Sequence, residues 1–143
     1  MSSAAVARPP DYGTPIPLDQ AKMVMAAAEA EARANSWPMV IAIVDSGGHL
    51  VMLHRLDQAQ HGSVMIAHEK ARCAVNFKRT TKTLEDAVAQ GGLNLRMLAA
   101  PGIMPLEGGV PLIAGGRIVG AIGVSGMRSD QDGQVAEAGA KAL

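Results

Sequence analysis

This chain has few of the features that mark secreted, membrane-bound or nucleic-acid-binding proteins. Among its 143 residues there is one cysteine, Cys73, so no internal disulfide can form. Lys and Arg (13) balance Asp and Glu (13), and without surplus positive charge we expect neither a nucleic-acid nor an anionic-membrane partner. No apolar run reaches the roughly 20 residues of a membrane helix, and no basic segment leads into an apolar stretch as in a secretory signal. We therefore expect a cytoplasmic protein with one domain.

Aromatic residues are also scarce, with one Trp, one Tyr and one Phe. A core with few rings must be filled by aliphatic side chains and by close approach of backbones, and the chain offers nine Met and 16 Gly for this purpose. Helices rich in Ala and Gly often pack across subunits as well as within them. The composition therefore favours a homo-oligomer.

Proline and glycine divide the chain into an arm and a domain. Residues 1–17 contain four prolines and predict a flexible N-terminal arm, whereas residues 18–143 predict a single domain. Within the domain, helix-forming and apolar runs predict the order α-ββ-αα-ββ-α, with hairpin turns at Gly47-Gly48 and Gly115-Gly116. Because each hairpin is antiparallel, this order indicates an α+β fold with helices packed on an antiparallel sheet.

The most informative stretch is 107–132, EGGVPLIAGGRIVGAIGVSGMRSDQD. Gly108 and Gly109 allow the backbone to turn where a side chain would clash. Two apolar runs then form the second hairpin, and the spacing of Ser129 and Asp132 is typical of a helix cap. The small residues of this stretch leave a surface that a flat ligand could approach.

This stretch resembles the signature of the GlcG/HbpS-like family, a haem-binding group that includes the C-terminal domain of PduO-type proteins. Three further segments fit the resemblance, at 18–21, 44–57 and 67–81. The resemblance implies a profilin-like sandwich built on an antiparallel sheet of about five strands. It also implies a soluble homo-oligomer that binds a small molecule, haem in some relatives, near a subunit boundary.

Histidines are candidate ligands for such a molecule. His61 and His68 are two turns apart on one predicted helix, so they share a face but lie too far apart to bind one metal ion together. Either one is a candidate axial ligand to a haem iron, and the alternative is a partly exposed side chain on the helix surface. His54 and Arg55 are adjacent on a predicted strand, so they point to opposite faces.

Cationic side chains are candidates for binding an anionic ligand. Arg55 could bind a carboxylate of haem or of a small organic acid, or it could pair with Asp57 on the same face. Lys70 lies among apolar residues of its helix, where partial burial suits a pocket role, and the alternative is a local pair with Glu69. Arg79 follows this helix and binds either an anion or the last carbonyl groups.

These candidates support a binding protein as the first interpretation. In this interpretation Arg55, Lys70, a histidine and the turn at Gly108 and Gly109 form a pocket for haem or another anionic small molecule.

The alternative is a catabolic-pathway enzyme, an acid/base isomerase or hydrolase that acts on a small carboxylated substrate. Arg55 and Arg79 would then hold the substrate, and Lys70, Glu107 or a histidine would move protons. An oligomeric accessory protein without chemistry of its own is a third interpretation, and the residues alone do not choose among the three.

Overall fold

A four-stranded antiparallel sheet lies at the centre of the computed structural model, which describes residues 8–143. The order of the strands in space is β2-β1-β4-β3. Their bounds are β1 Val40–Asp45, β2 Leu50–Arg55, β3 Gly109–Ala114 and β4 Arg117–Ser125. The predicted α+β fold is confirmed, but the sheet has four strands where about five were expected, because within residues 8–143 only the two hairpins contribute strands to it.

Helices cover both faces of the sheet. Their bounds are α1 Leu18–Ala34, α2 Ser63–Phe77, α3 Thr81–Ala89 and α4 Ser129–Ala140, with a 3₁₀ helix at Gly92–Ala99. The helix α2 packs on one face, and α1 and α4 pack together on the other. The 3₁₀ helix is not among the elements predicted from the sequence. Within residues 8–143, no helix is both long and apolar enough to cross a membrane.

The apolar run of β1 is explained by burial on both faces. Val40, Ala42 and Val44 pack in clusters with residues of α2. Ile41 and Ile43 point the other way, into the cluster formed with α1 and α4. A strand between two helical layers has no solvent-facing side, so its sequence reads as a continuous apolar run rather than an alternating one.

Part of the predicted arm pairs with the sheet. The Gly13 N–H donates to the Ile118 carbonyl, and the Ile118 N–H donates to the Asp11 carbonyl, both at 2.9 Å. Ile16 is buried and donates its N–H to the Val119 carbonyl. These residues lie beside β4 beyond its last partner on β1, so residues 11–16 are held against the sheet. The first seven residues of the predicted arm lie outside the described part of the chain.

Close backbone packing replaces large side chains between β4 and α2. A Cβ atom added to Gly123 would overlap the carbonyl oxygen of Ala67 and would lie 2.5 Å from the backbone nitrogen of Ala71. The helix α2 therefore rests directly on the backbone of β4. This contact explains how a chain with three aromatic residues fills its interior.

Candidate functional site

Lys70 joins the two helical layers at the end of the sheet near β3. Its side chain starts on α2 and is 2% exposed. Its Nζ donates to the carbonyl oxygen of Val124 and to Oδ2 of Asp132 on α4, both at 2.9 Å. Asp132 is equally buried, and its Oδ1 accepts the Met127 N–H at 3.0 Å. The ion pair thus ties α2 to α4.

The glycine turn before β3 provides the space for this lysine. Gly108 has a φ of +138°, and a Cβ atom there would lie 2.9 Å from the Nζ of Lys70. A Cβ atom on Gly109 would overlap the carbonyl oxygen of Lys70 and would lie 2.7 Å from Cγ2 of Thr81. Lys70 therefore lies against Gly108 and Gly109. The space between them is filled by the lysine side chain.

Burial raises the pKa of two carboxyl groups near this turn. It raises the pKa of Asp132 above its ordinary value, against the opposing effects of the Lys70 ammonium and the Met127 N–H. Burial also raises the pKa of Glu107, an effect that Lys82 opposes. Glu107 lines a cavity of about 50 Å³. A cavity of that size holds a water molecule rather than a substrate, because ligand pockets usually exceed about 300 Å³.

Cys73 is buried on α2, the helix that also carries Lys70. The Met104 N–H donates to its Sγ at 3.3 Å, and burial raises the pKa of the thiol. A raised pKa reduces the thiolate fraction, and the thiolate is the reactive form.

We expect Cys73 to be inert in the folded protein. Its reaction with a chromogenic disulfide reagent should be slower in buffer than in concentrated guanidinium chloride by about 100-fold or more, because the thiol must first be exposed by opening of the structure. Equal rates under the two conditions would contradict the buried position.

Arg55 lies at the other edge of the sheet. It ends β2, the outermost strand on that side, whereas Gly109 begins β3 at the opposite edge. Three strand spacings separate the two edges, roughly 14 Å. The first interpretation of the sequence placed Arg55 in one pocket with Lys70 and the glycine turn. Within one chain, the structure separates Arg55 from both.

Around Arg55 the surface forms three adjoining depressions of about 640, 450 and 360 Å³. Asp57 lines all three depressions, so they form one continuous surface, which we call the β2 rim. Four further residues each line two of the depressions: Arg33, Arg55, Leu56 and Gln58. The other residues that line the rim are Glu29, Ser36, Trp37, Pro38, Leu53, His54, Ala59, Gln60 and His61.

The β2 rim carries charged groups that can receive a ligand. The side chains of Arg33 and Arg55 form no ion pair within residues 8–143, and Arg55 does not pair with Asp57 there. The Nδ1 of His54 hydrogen-bonds to Oε1 of Glu29. His61 lines the same depression of about 640 Å³ as Arg55. The structure thus groups three predicted site residues, His54, Arg55 and His61, at one place.

The remaining predicted residues lie elsewhere. His68 is half-buried on α2 and is not among the residues that line the rim. Arg79 donates from Nε to the Phe77 carbonyl at 3.0 Å, which is one of its two expected roles. Glu69 pairs with Arg72 rather than with Lys70.

Sequence reasoning missed three residues of these sites. Asp132 was interpreted only as a helix cap, although a lysine amid apolar helix residues signals that a buried acid must lie somewhere in the fold. Glu29 and Arg33 are one turn apart on α1 and carry no local signal of their role. They line the rim only because β2 packs beside α1.

Comparison with known proteins agrees with the fold. A family model described as haem-degrading protein HbpS-like matches residues 16–141. Protein GlcG of Escherichia coli K12 is 43% identical over 105 residues, which are 73% of this chain and 77% of GlcG.

Solved structures give the same result. An HbpS double mutant from Streptomyces reticuli is 32% identical with a TM-score of 0.82, covering 100% of this chain and 98% of that one. The haem complex of PduOC is 27% identical with a TM-score of 0.81, covering 91% of this chain and 96% of that one. The family-model match spans nearly the whole chain, and the chain therefore belongs to the HbpS-like family.

Proposed function

We propose that the protein binds haem, or a similar flat molecule with carboxylates, at the β2 rim. One observation carries this proposal. The rim places two arginines without ion-pair partners in the described residues, Arg33 and Arg55, beside two imidazoles, His54 and His61. Guanidinium groups bind carboxylates with two parallel hydrogen bonds, and imidazole is a common ligand of haem iron.

The size and lining of the rim fit such a ligand. Depressions of about 360–640 Å³ lie within the usual range of small-molecule sites. Trp37 and Leu56 supply apolar surface at one side, where part of a ring system can be removed from water. When bound, haem supplies its iron and the reactivity of that iron, whereas the residues of the rim bind and orient the ring.

The relatives support the same class of ligand. PduOC has been solved as a haem complex, and the family model is described as haem-degrading. The alternative function, an acid/base isomerase or hydrolase that uses Lys70 or Glu107, has no comparable support. Lys70 is buried in an ion pair, and Glu107 lines a cavity of about 50 Å³. We therefore propose binding and no catalytic function for these two residues.

We also propose that the protein is a homo-oligomer. The 3₁₀ helix exposes Leu93, Leu95 and Leu98, of which Leu93 is 74% exposed. Apolar side chains grouped on one exposed segment are typical of an interface. Light scattering after size exclusion should give a mass above that of one chain, and Leu93→Glu combined with Leu98→Glu should lower it. A single-chain mass for the unmodified protein would contradict this.

Titration with haemin tests the binding function. We expect a saturable shift of the Soret band, and Arg55→Ala should weaken binding by about 10-fold or more, because a charge-assisted hydrogen bond to a carboxylate is lost. Arg117→Ala is the matched control, since Arg117 begins β4 and lies at the far end of the sheet from the rim. Binding that does not saturate, or that both variants weaken equally, would refute the proposed site.

A further inference from the structure

The geometry points to His54 as the iron ligand at the β2 rim and to Glu29 as the residue that positions it. This inference rests on the proposed function, because it names the ligand atom within the same site. It separates His54 from His61 and His68, which the sequence presented as the candidates.

The contact with Glu29 determines which nitrogen of His54 is available. The Nδ1 of His54 hydrogen-bonds to Oε1 of Glu29, and the two side chains are 46% and 22% exposed. An ionised carboxylate only accepts hydrogen bonds, so Nδ1 must carry the proton. In the neutral ring the lone pair then lies on Nε2, which has no hydrogen-bond partner among residues 8–143.

This arrangement is the one that proteins use to prepare a histidine for metal binding. Metal-binding histidines almost always donate their other ring N–H to a carboxylate or carbonyl group, which sets the tautomer and the ring orientation. No such contact is found for His61 or His68 within residues 8–143. His49 lies 3.4 Å from Asp45, but it follows the turn of the first hairpin and does not line the rim.

The edge position of β2 lets one ligand contact side chains from both faces of the sheet. His54 pairs with Ile41 and faces α1, whereas Arg55 pairs with Val40 and faces the side of α2. Because no further strand of residues 8–143 covers β2, both side chains reach the same depression of about 360 Å³. Arg33 reaches it from α1, one turn beyond Glu29. An iron ligand and two carboxylate-binding groups therefore surround one space.

Nuclear magnetic resonance of the ligand-free protein tests the role of Glu29 directly. Long-range proton–nitrogen spectra should show His54 with the proton on Nδ1, and Glu29→Ala should shift the ring toward the mixture seen in free histidine. Glu31→Ala is the matched control on the same helix, because the Glu31 carboxylate accepts from Gln134 instead. An unchanged His54 tautomer in Glu29→Ala would overturn the positioning role.

Titration with two porphyrins tests the ligation. We expect His54→Ala to lose the Soret position of the unmodified complex and to weaken haemin binding, while binding of iron-free protoporphyrin stays unchanged. Glu29→Ala should weaken haemin binding by about 10-fold, the usual loss when the partner of a metal-binding histidine is removed. His61→Ala and His68→Ala should retain the unmodified spectrum.

The outcomes separate this inference from the proposed function. If the unmodified protein binds haemin and His54→Ala has the same spectrum and affinity, the assignment of His54 is wrong and the binding function stands. If the unmodified protein binds neither porphyrin, both are wrong.

Discussion

Replacing Lys70 with methionine is expected to lower the free energy of unfolding by about 3–5 kcal/mol at neutral pH. The methionine side chain fills much of the same volume, but it leaves the Asp132 carboxylate buried without its ammonium partner. The Val124 carbonyl also loses a donor. Urea unfolding followed by circular dichroism measures the loss.

A double variant is the control for this prediction. Lys70→Met combined with Asp132→Asn removes the buried charge and keeps an oxygen that can accept the Met127 N–H. We expect the double variant to be more stable than Lys70→Met alone, because a buried pair is costly mainly when one partner is left. If the free-energy loss of the double variant equals the sum of the losses of Lys70→Met and Asp132→Asn measured separately, the two groups do not interact.

The Lys70→Met penalty should shrink in acid. Without Lys70, burial raises the pKa of Asp132 in the folded state further above its ordinary value of 3.8. A carboxyl with a raised folded pKa destabilises the fold when it is ionised, and protonation relieves this as the pH falls toward the ordinary value. The difference in unfolding free energy between variant and unmodified protein should therefore narrow below neutral pH. If this difference in unfolding free energy does not change with pH, the penalty comes from altered packing and not from the buried Asp132 charge.

Gly123→Ala is expected to cost about 3 kcal/mol or more, at or above the upper end of the range for overpacked cores. The added methyl group would overlap the Ala67 carbonyl, which belongs to the backbone of α2 and cannot rotate away. The sheet and helix must therefore separate. Thermal and urea unfolding measure the loss, and the far-ultraviolet circular dichroism spectrum shows whether the variant folds.

Gly62→Ala is the matched control for the glycine prediction. Gly62 has a φ of −61°, which suits any residue, and a Cβ atom there would have no non-adjacent neighbour within 4 Å among residues 8–143. We expect this variant to lose less than about 1 kcal/mol. If Gly123→Ala unfolds at the same denaturant concentration as Gly62→Ala, α2 does not rest on β4 as described.

Local patterns in the sequence predicted most of the fold. Paired glycines at 47–48 and 115–116 placed the turns of both hairpins, and the apolar runs beside them predicted the strands. Turns and helix caps depend on the conformational preferences of a few adjacent residues, so they can be recognised without the rest of the molecule. The 3₁₀ helix at Gly92–Ala99 was not predicted.

The residues 11–16 show where local patterns were insufficient. Prolines at 9, 10, 15 and 17 suggested a free arm, yet Asp11, Gly13 and Ile16 bond to β4. The pairing exists because β4 is longer than β1 and leaves part of its edge open. The length difference between two strands distant in sequence is a property of the assembled sheet.

The sequence by itself determined the α+β class, the order of helices and hairpins, the tight glycine turn at 108–109 and the membership suggested by the 107–132 stretch. Only the tertiary structure decided which charged groups meet. It paired Lys70 with Asp132, 62 residues away, and grouped Arg55 with His54, Glu29 and Arg33 at the opposite edge of the sheet. The physical reason is that strand order and helix packing, rather than spacing along the chain, set the distance between side chains far apart in sequence.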